Sequence, residues 1–315
     1  MLILKKMFAA AAVAGLVSTV GIVPADAAPK NQARSVAQPD WLEQNIDNPK
    51  VRIIEVSTEP GIYERGHIKN AINFVWHTDL VDTVNRDIIN AKNFSKLVQK
   101  AGISDDTTVV LYGDKNNWFA AWGAWIFNIY GQKDVRVLDG GRVKWEKDGR
   151  PLTTAVPTFA AGNFTATKQD RSIRATLIKD VLPVAKKRAK ADLIDIRGAD
   201  EFNGKVFAAP GFQELAVRAG HIPGAINVPW GANVNADGTF KTVAELKKLY
   251  ADKGVDGKQN IITYCRIGER SSLTWFVLSE ILGYNVKNYD GSWTEYGNTV
   301  GVPIINNAGT IWGAQ

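Results

Sequence analysis

Between residues 192 and 289, short apolar runs of strand length alternate with stretches in which apolar residues recur at helical spacing. "DLIDI" predicts a strand at 192–196, residues 242–253 a helix, 259–264 a strand, 271–282 a helix and 285–289 a strand. Such alternation requires parallel strands joined by helical crossovers, so the expected class is α/β, with a mainly parallel sheet covered by helices on both faces.

The same pattern occurs twice. "ERGHIKNAINFVW" at 64–76 and "RAGHIPGAINVPW" at 218–230 share Gly-His-Ile, Ala-Ile-Asn and a closing Trp, with His67 and His221 standing 154 positions apart. "VVLYGDKNNWFAAWGAWIFNIYGQKDVRVLDGG" at 109–141 parallels "IITYCRIGERSSLTWFVLSEILGYNVKNYDGS" at 261–292, which sets Asp114 against Cys265 at an offset of 151. "RIIEV" at 52–56 and "DLIDI" are offset by only 140, so the second copy carries an insertion between 199 and 218. Two tandem domains are therefore expected, at 35–150 and 169–315. The Pro-, Gly- and Thr-containing stretch 151–168 reads as the linker.

Composition adds a compartment and removes some chemistries. Lys5 and Lys6 precede an apolar stretch that ends in "PADAAPK", with small residues at Ala25 and Ala27. This predicts a signal peptide over 1–28 and a periplasmic or secreted mature chain, with no membrane segment after cleavage. One cysteine in 315 residues allows no internal disulfide. The net charge of +6 is a mild excess favouring anions. It lacks the basic runs of a nucleic-acid binder.

That cysteine sits where a strand, "NIITY", gives way to a helical stretch, "SSLTWFVLSEILGY", with Ser271 or Ser272 as the expected N-cap. A helix N-terminus and the neighbouring Arg266 and Arg270 favour a thiolate at Cys265. Gly268 lets successive backbone N–H groups turn toward one centre, which makes a concave anion site. Only three histidines exist, and two belong to the repeated Gly-His-Ile segment, so a Cys-His hydrolase is poorly supported. One cysteine and scattered histidines give no metal-ligand spacing, and no cofactor is expected. The remaining chemistry is attack on an anionic electrophile, sulfane sulfur or phosphorus.

"LIDIRGADEF" at 193–202, "GHIPGAINVPW" at 220–230, "YCRIGERSS" at 264–272 and "NYDGSW" at 288–293 together resemble the two-domain rhodaneses, the thiosulfate sulfurtransferases. The resemblance implies two tandem rhodanese-like domains, and a cysteine that takes the outer sulfur of thiosulfate, releases sulfite and holds a persulfide. A thiophilic acceptor such as cyanide or a thiol then removes the sulfur. Carried over, Cys265 is the nucleophile, the backbone of Arg266, Ile267, Gly268, Glu269 and Arg270 cradles the sulfur, and Arg266 and Arg270 bind or steer the anion. Asp195 and Arg197 match the family's Asp-x-Arg, as loop support and as either a substrate contact or a structural ion pair. Related phosphatases have Cys-x5-Arg, whereas Cys265 to Arg270 is Cys-x4-Arg. "CRIG" is closer to the thiosulfate type than to the 3-mercaptopyruvate type. Some members carry arginine where Glu201 stands here. A persulfide carrier that does not use thiosulfate is the alternative from another class. The insertion 203–217 is expected as a lid or a surface loop, and the first domain, with Asp114 in the cysteine's place, as non-catalytic.

Overall fold

The computed structural model describes residues 32–313 apart from 214; the leader expected over 1–28 lies outside the described residues. In the first domain, β1 (Val36–Ala37), β2 (Val51–Glu55), β3 (Ala71–Asn73), β6 (Thr108–Tyr112) and β7 (Asp134–Leu138) form a parallel sheet in the order β1-β7-β6-β2-β3. A separate antiparallel hairpin, β4 (Val81–Asp82) with β5 (Asp87–Ile88), projects from it. In the second domain, β8 (Arg174–Ala175), β9 (Asp192–Asp195), β10 (Ile226–Asn227), β11 (Ile261–Tyr264) and β12 (Val286–Tyr289) repeat that order as β10-β9-β11-β12-β8, again all parallel. The central strands β6 and β11 are buried on both faces, as their apolar runs require.

Helices α1 (Ala91–Lys100), α2 (Trp118–Ile129) and α3 (Gly141–Lys147) cover the first sheet, and α4 (Val243–Ala251), α5 (Glu269–Phe276) and α6 (Ser292–Asn298) the second. Helix α2, "WFAAWGAWIFNI", is apolar nearly all round and is buried nearly all round. One face lies on its own sheet and the other on α5, so a single apolar core runs through both domains. Gly123 permits the approach to the sheet, because a Cβ there would stand 2.7 Å from Leu111 Cδ2.

The stretch 151–168 contains no helix and no strand longer than an isolated bridge, yet it is tied to the first domain. Thr153 and His67 exchange backbone hydrogen bonds, and Phe164 packs edge-on against Phe94. Both histidines of the repeat are structural. His67 stacks on Tyr63 and His221 on Phe202, with ring centroids 3.8 and 3.6 Å apart. Burial lowers the His221 pKa, so that ring prefers to be neutral.

Several predicted boundaries shift by one or two residues, two of them in the elements next to the cysteine. The helix expected from 271 begins at Glu269 and passes into a π turn at Val277–Ile281. The strand expected from 259 begins at Ile261.

Candidate active site

Cys265 follows the last residue of β11, and its side chain is fully buried. Gly268 N–H points back at Cys265 Sγ from 3.0 Å, and Ser292 Oγ lies 4.0 Å from the same sulfur. The N–H of Cys265 donates to Ser292 Oγ at 3.1 Å, and Ser292 Oγ–H donates to the Tyr289 carbonyl at 2.7 Å. The turn depends on Gly268, whose φ is +103°. A Cβ there would fall 2.3 Å from the Asp290 carbonyl oxygen. Neither Ser271 nor Ser272 caps the helix, a correction to the expected N-cap; Gly268 occupies that position. Both hydroxyls instead bond the Gly268 carbonyl, and Asn288 Nδ2 donates to the same oxygen at 3.1 Å. These bonds hold the Gly268–Glu269 peptide, while the N–H that faces the sulfur belongs to the preceding Ile267–Gly268 peptide.

The remaining loop residues divide by what their side chains touch. Arg266 Nη1 donates to the Gln213 carbonyl at 2.9 Å, with its guanidinium over the Phe212 ring, so the insertion 203–217 lies on the site. The Arg266 carbonyl accepts from Thr294 N and Oγ1. The Ile267 carbonyl accepts from Arg86 of the first domain. Arg270 is buried, its guanidinium facing Trp118 and Phe212 at 5.9 and 5.6 Å and its Nη2 3.6 Å from Glu201 Oε1. Glu201 is thus the counterion of Arg270; its other oxygen accepts from Gly198 N. Neither Arg270 Nη2 nor Glu201 Oε1 has a hydrogen-bond partner. Burial pushes the Glu269 carboxyl up to about 8, with Arg86 opposing the shift and Asp290 adding to it.

Arg197, expected either as a substrate contact or as a structural ion pair with Asp195, is buried. It is 1% exposed, its Nε and Nη2 donate to the Asp195 carboxylate, and Nη2 also donates to the Gly220 carbonyl at 2.7 Å. Burial works against its charge, but the Asp195 carboxylate more than offsets this and holds the guanidinium above its ordinary pKa. Nε and Nη2 are thus engaged within the protein, as a structural ion pair requires.

The matching loop of the first domain is built differently. Asp114 accepts from Thr58 N, Thr58 Oγ1 and Glu59 N, and its carboxylate is spent on the neighbouring strand end. Lys115, Asn116 and Asn117 all have positive φ, so the backbone does not reproduce the turn at Gly268. Trp118, at the start of α2, packs instead against Trp230 and Phe212 at the mouth of the second domain's site. Sequence reasoning missed Arg86, which belongs to neither repeated motif. Trp118 reaches the site through Trp230, the residue that closes the repeated segment.

Rhodanese-like domain models match residues 38–148 and 181–299. The chain is 52% identical over 267 residues to a protein of Mycolicibacterium smegmatis named "Putative thiosulfate sulfurtransferase", covering 84% of this chain and 95% of that one. It is 50% identical over 270 residues to the sulfur carrier protein TtuD of Thermus thermophilus, covering 84% and 94%. Among solved structures it matches the 3-mercaptopyruvate sulfotransferase SseA of Escherichia coli with a TM-score of 0.70 at 28% identity, over 82% of this chain and 98% of that one.

Proposed function

The chain belongs to the rhodanese family and is a sulfurtransferase of it, and from that premise we propose that its donor is thiosulfate and its acceptor a thiophile such as cyanide or a thiol. The Cys265 thiolate attacks the outer sulfur of thiosulfate, the S–S bond breaks, and sulfite leaves with the bonding pair. The acceptor then attacks the terminal sulfur of the Cys265 persulfide and returns the thiolate. No proton is needed by either leaving group. The observation that carries this reading is the 3.0 Å contact from Gly268 N–H to a lone buried thiol in a loop where no histidine stands. Such a donor stabilises a sulfur anion without a base. Arg270 and Arg266 supply positive charge at the mouth, but Glu201 offsets part of it, which suits a small anion held by backbone more than by side chains.

Purified protein should gain the mass of one sulfur atom on incubation with thiosulfate and lose it to cyanide, with ping-pong kinetics and no gain in Cys265→Ser. Loading by 3-mercaptopyruvate alone would move the donor to that acid. Loading only by another protein's persulfide would make the chain a carrier. The same reading includes export, with cleavage near Ala27 or Ala28, tested by N-terminal sequencing of the mature chain from the periplasmic fraction.

A further inference from the structure

The loop that carries Cys265 is held from the other domain. Arg86 lies between β4 and β5 of the first domain, with φ +51°, and its side chain reaches across the interface. Nη2 donates to the Ile267 carbonyl, two residues from the nucleophile. Nη1 stands 3.4 Å from Asp290 Oδ2, and Nη2 4.0 Å from Glu269 Oε1. Both carboxyl groups are buried directly behind the loop, and Glu269 Oε2 has no hydrogen-bond partner. The molecule supplies its own control. The equivalent hairpin of the second domain, bridged at Val234 and Phe240, brings Gly238 up to Asn116 Oδ1 and the Gly140 carbonyl, with no arginine at its tip. Among the described residues, no lysine or arginine of the second domain forms an ion pair or hydrogen bond with residues 114–117.

We infer that Arg86 is a positioning residue of the sulfur-transfer site: it fixes the Ile267–Gly268 peptide so that the Gly268 N–H stays on the Cys265 sulfur, and it pairs with the buried carboxyl groups behind that peptide. This rests on Cys265 being the nucleophile, and it makes the first domain a contributor to the second domain's reactivity rather than a wall alone. The charged groups around the loop are Arg266 and Arg270 on the loop and α5, Glu201 opposite Arg270, Asp290 after β12, and Arg174, which pairs with both Asp290 and Asp87. Removing Arg86 leaves Glu269, among the described residues, with no cation within salt-bridge distance. Its negative charge then develops beside the thiol as the pH rises through and above about 8.

The test is the rate at which iodoacetamide alkylates Cys265, which needs no sulfur donor and so separates this inference from the choice of thiosulfate. Relative to the wild type, Arg86→Ala should be slower at every pH. The deficit should grow to about tenfold or more between about pH 6 and about pH 9, the effect of one unit of lost stabilisation. Glu269→Gln in that background should abolish the growth, and Arg86→Lys should return the rate to within about threefold of the wild type. Persulfide formation from thiosulfate should follow the same order. A deficit that is absent, or that is independent of pH and untouched by Glu269→Gln and by Arg86→Lys, would reduce Arg86 to a docking contact and overturn the inference.

Discussion

Position 268 accepts only glycine, for two separate reasons. Its φ of +103° is one that side chains rarely adopt, and a methyl group would meet backbone rather than a side chain able to move, 2.3 Å from the Asp290 carbonyl. Gly268→Ala should therefore cost about 1–3 kcal/mol of stability by urea unfolding. It should slow single-turnover persulfide formation by roughly 100-fold, because the N–H aimed at sulfur moves with the peptide. Loss of stability without loss of rate would show that this N–H is not the anion's partner. The arginines divide differently. Arg270, buried between Trp118, Phe212 and Glu201, faces the mouth of the site, whereas Arg266 is engaged by the Gln213 carbonyl. Arg270→Ala should weaken use of an anionic donor by about 2–3 kcal/mol in kcat/KM, with a smaller loss for Arg266→Ala. Transfer from the persulfide to a neutral thiol should suffer less in both. Equal losses for charged and neutral partners would point to a collapsed loop.

At the scale of elements, α5 is the helix that the first domain makes possible. All eight of its residues are buried, including Glu269 and Arg270, and α2 covers the side that its own sheet does not. Residues 160–315 alone should bind a hydrophobic dye and form the persulfide at least about tenfold more slowly than the intact chain, since apolar surface of that extent is not left in water. Full turnover by the fragment would show that α2 is dispensable. The strand–helix alternation and the internal repeat made both sheets legible, because buried parallel strands leave unbroken apolar runs and the two copies check one another. The start of α5 was misread for a local reason. Ser271 and Ser272 look like caps, but their hydroxyls turn back to the Gly268 carbonyl, which the positive φ at 268 brings within reach. Cys265, Gly268 and Arg270 were legible because their chemistry lies within six consecutive residues. Arg86 was not, because its partners are 181 to 204 positions away and its hairpin carries no motif. Arg197 was legible as a pair with Asp195, yet only burial decides that the pair faces inward.

Over the whole molecule the two domains meet in a quasi-symmetric exchange, and that interface carries its own pH dependence. The hairpin of the first domain reaches Asp290, while Phe240 N–H in the second donates to Asp139 Oδ1 at 2.8 Å, and these two aspartates occupy equivalent places in the repeat. Asp139, Asp290 and Glu269 all have pKa values raised chiefly by burial, Glu269 to about 8. A carboxyl whose folded-state pKa exceeds its unfolded value binds protons more tightly when folded. Its contribution is complete below the unfolded value and is lost as the pH climbs through the folded one. His221, lowered by burial, acts in the opposite sense and gains stability as the pH rises through its unfolded value near 6.5. The two effects overlap at acid pH and separate above about 7, where His221 is neutral in both states and Glu269 is still releasing its proton. Urea unfolding of the intact chain should thus show stability falling between about pH 7 and about pH 9, by an amount on the order of 2 kcal/mol for Glu269. Glu269→Gln should flatten that fall, because the amide cannot ionise. A wild-type stability that rises across this interval, or a slope that survives Glu269→Gln, would place the titrating group elsewhere and leave Glu269 charged behind the loop at neutral pH.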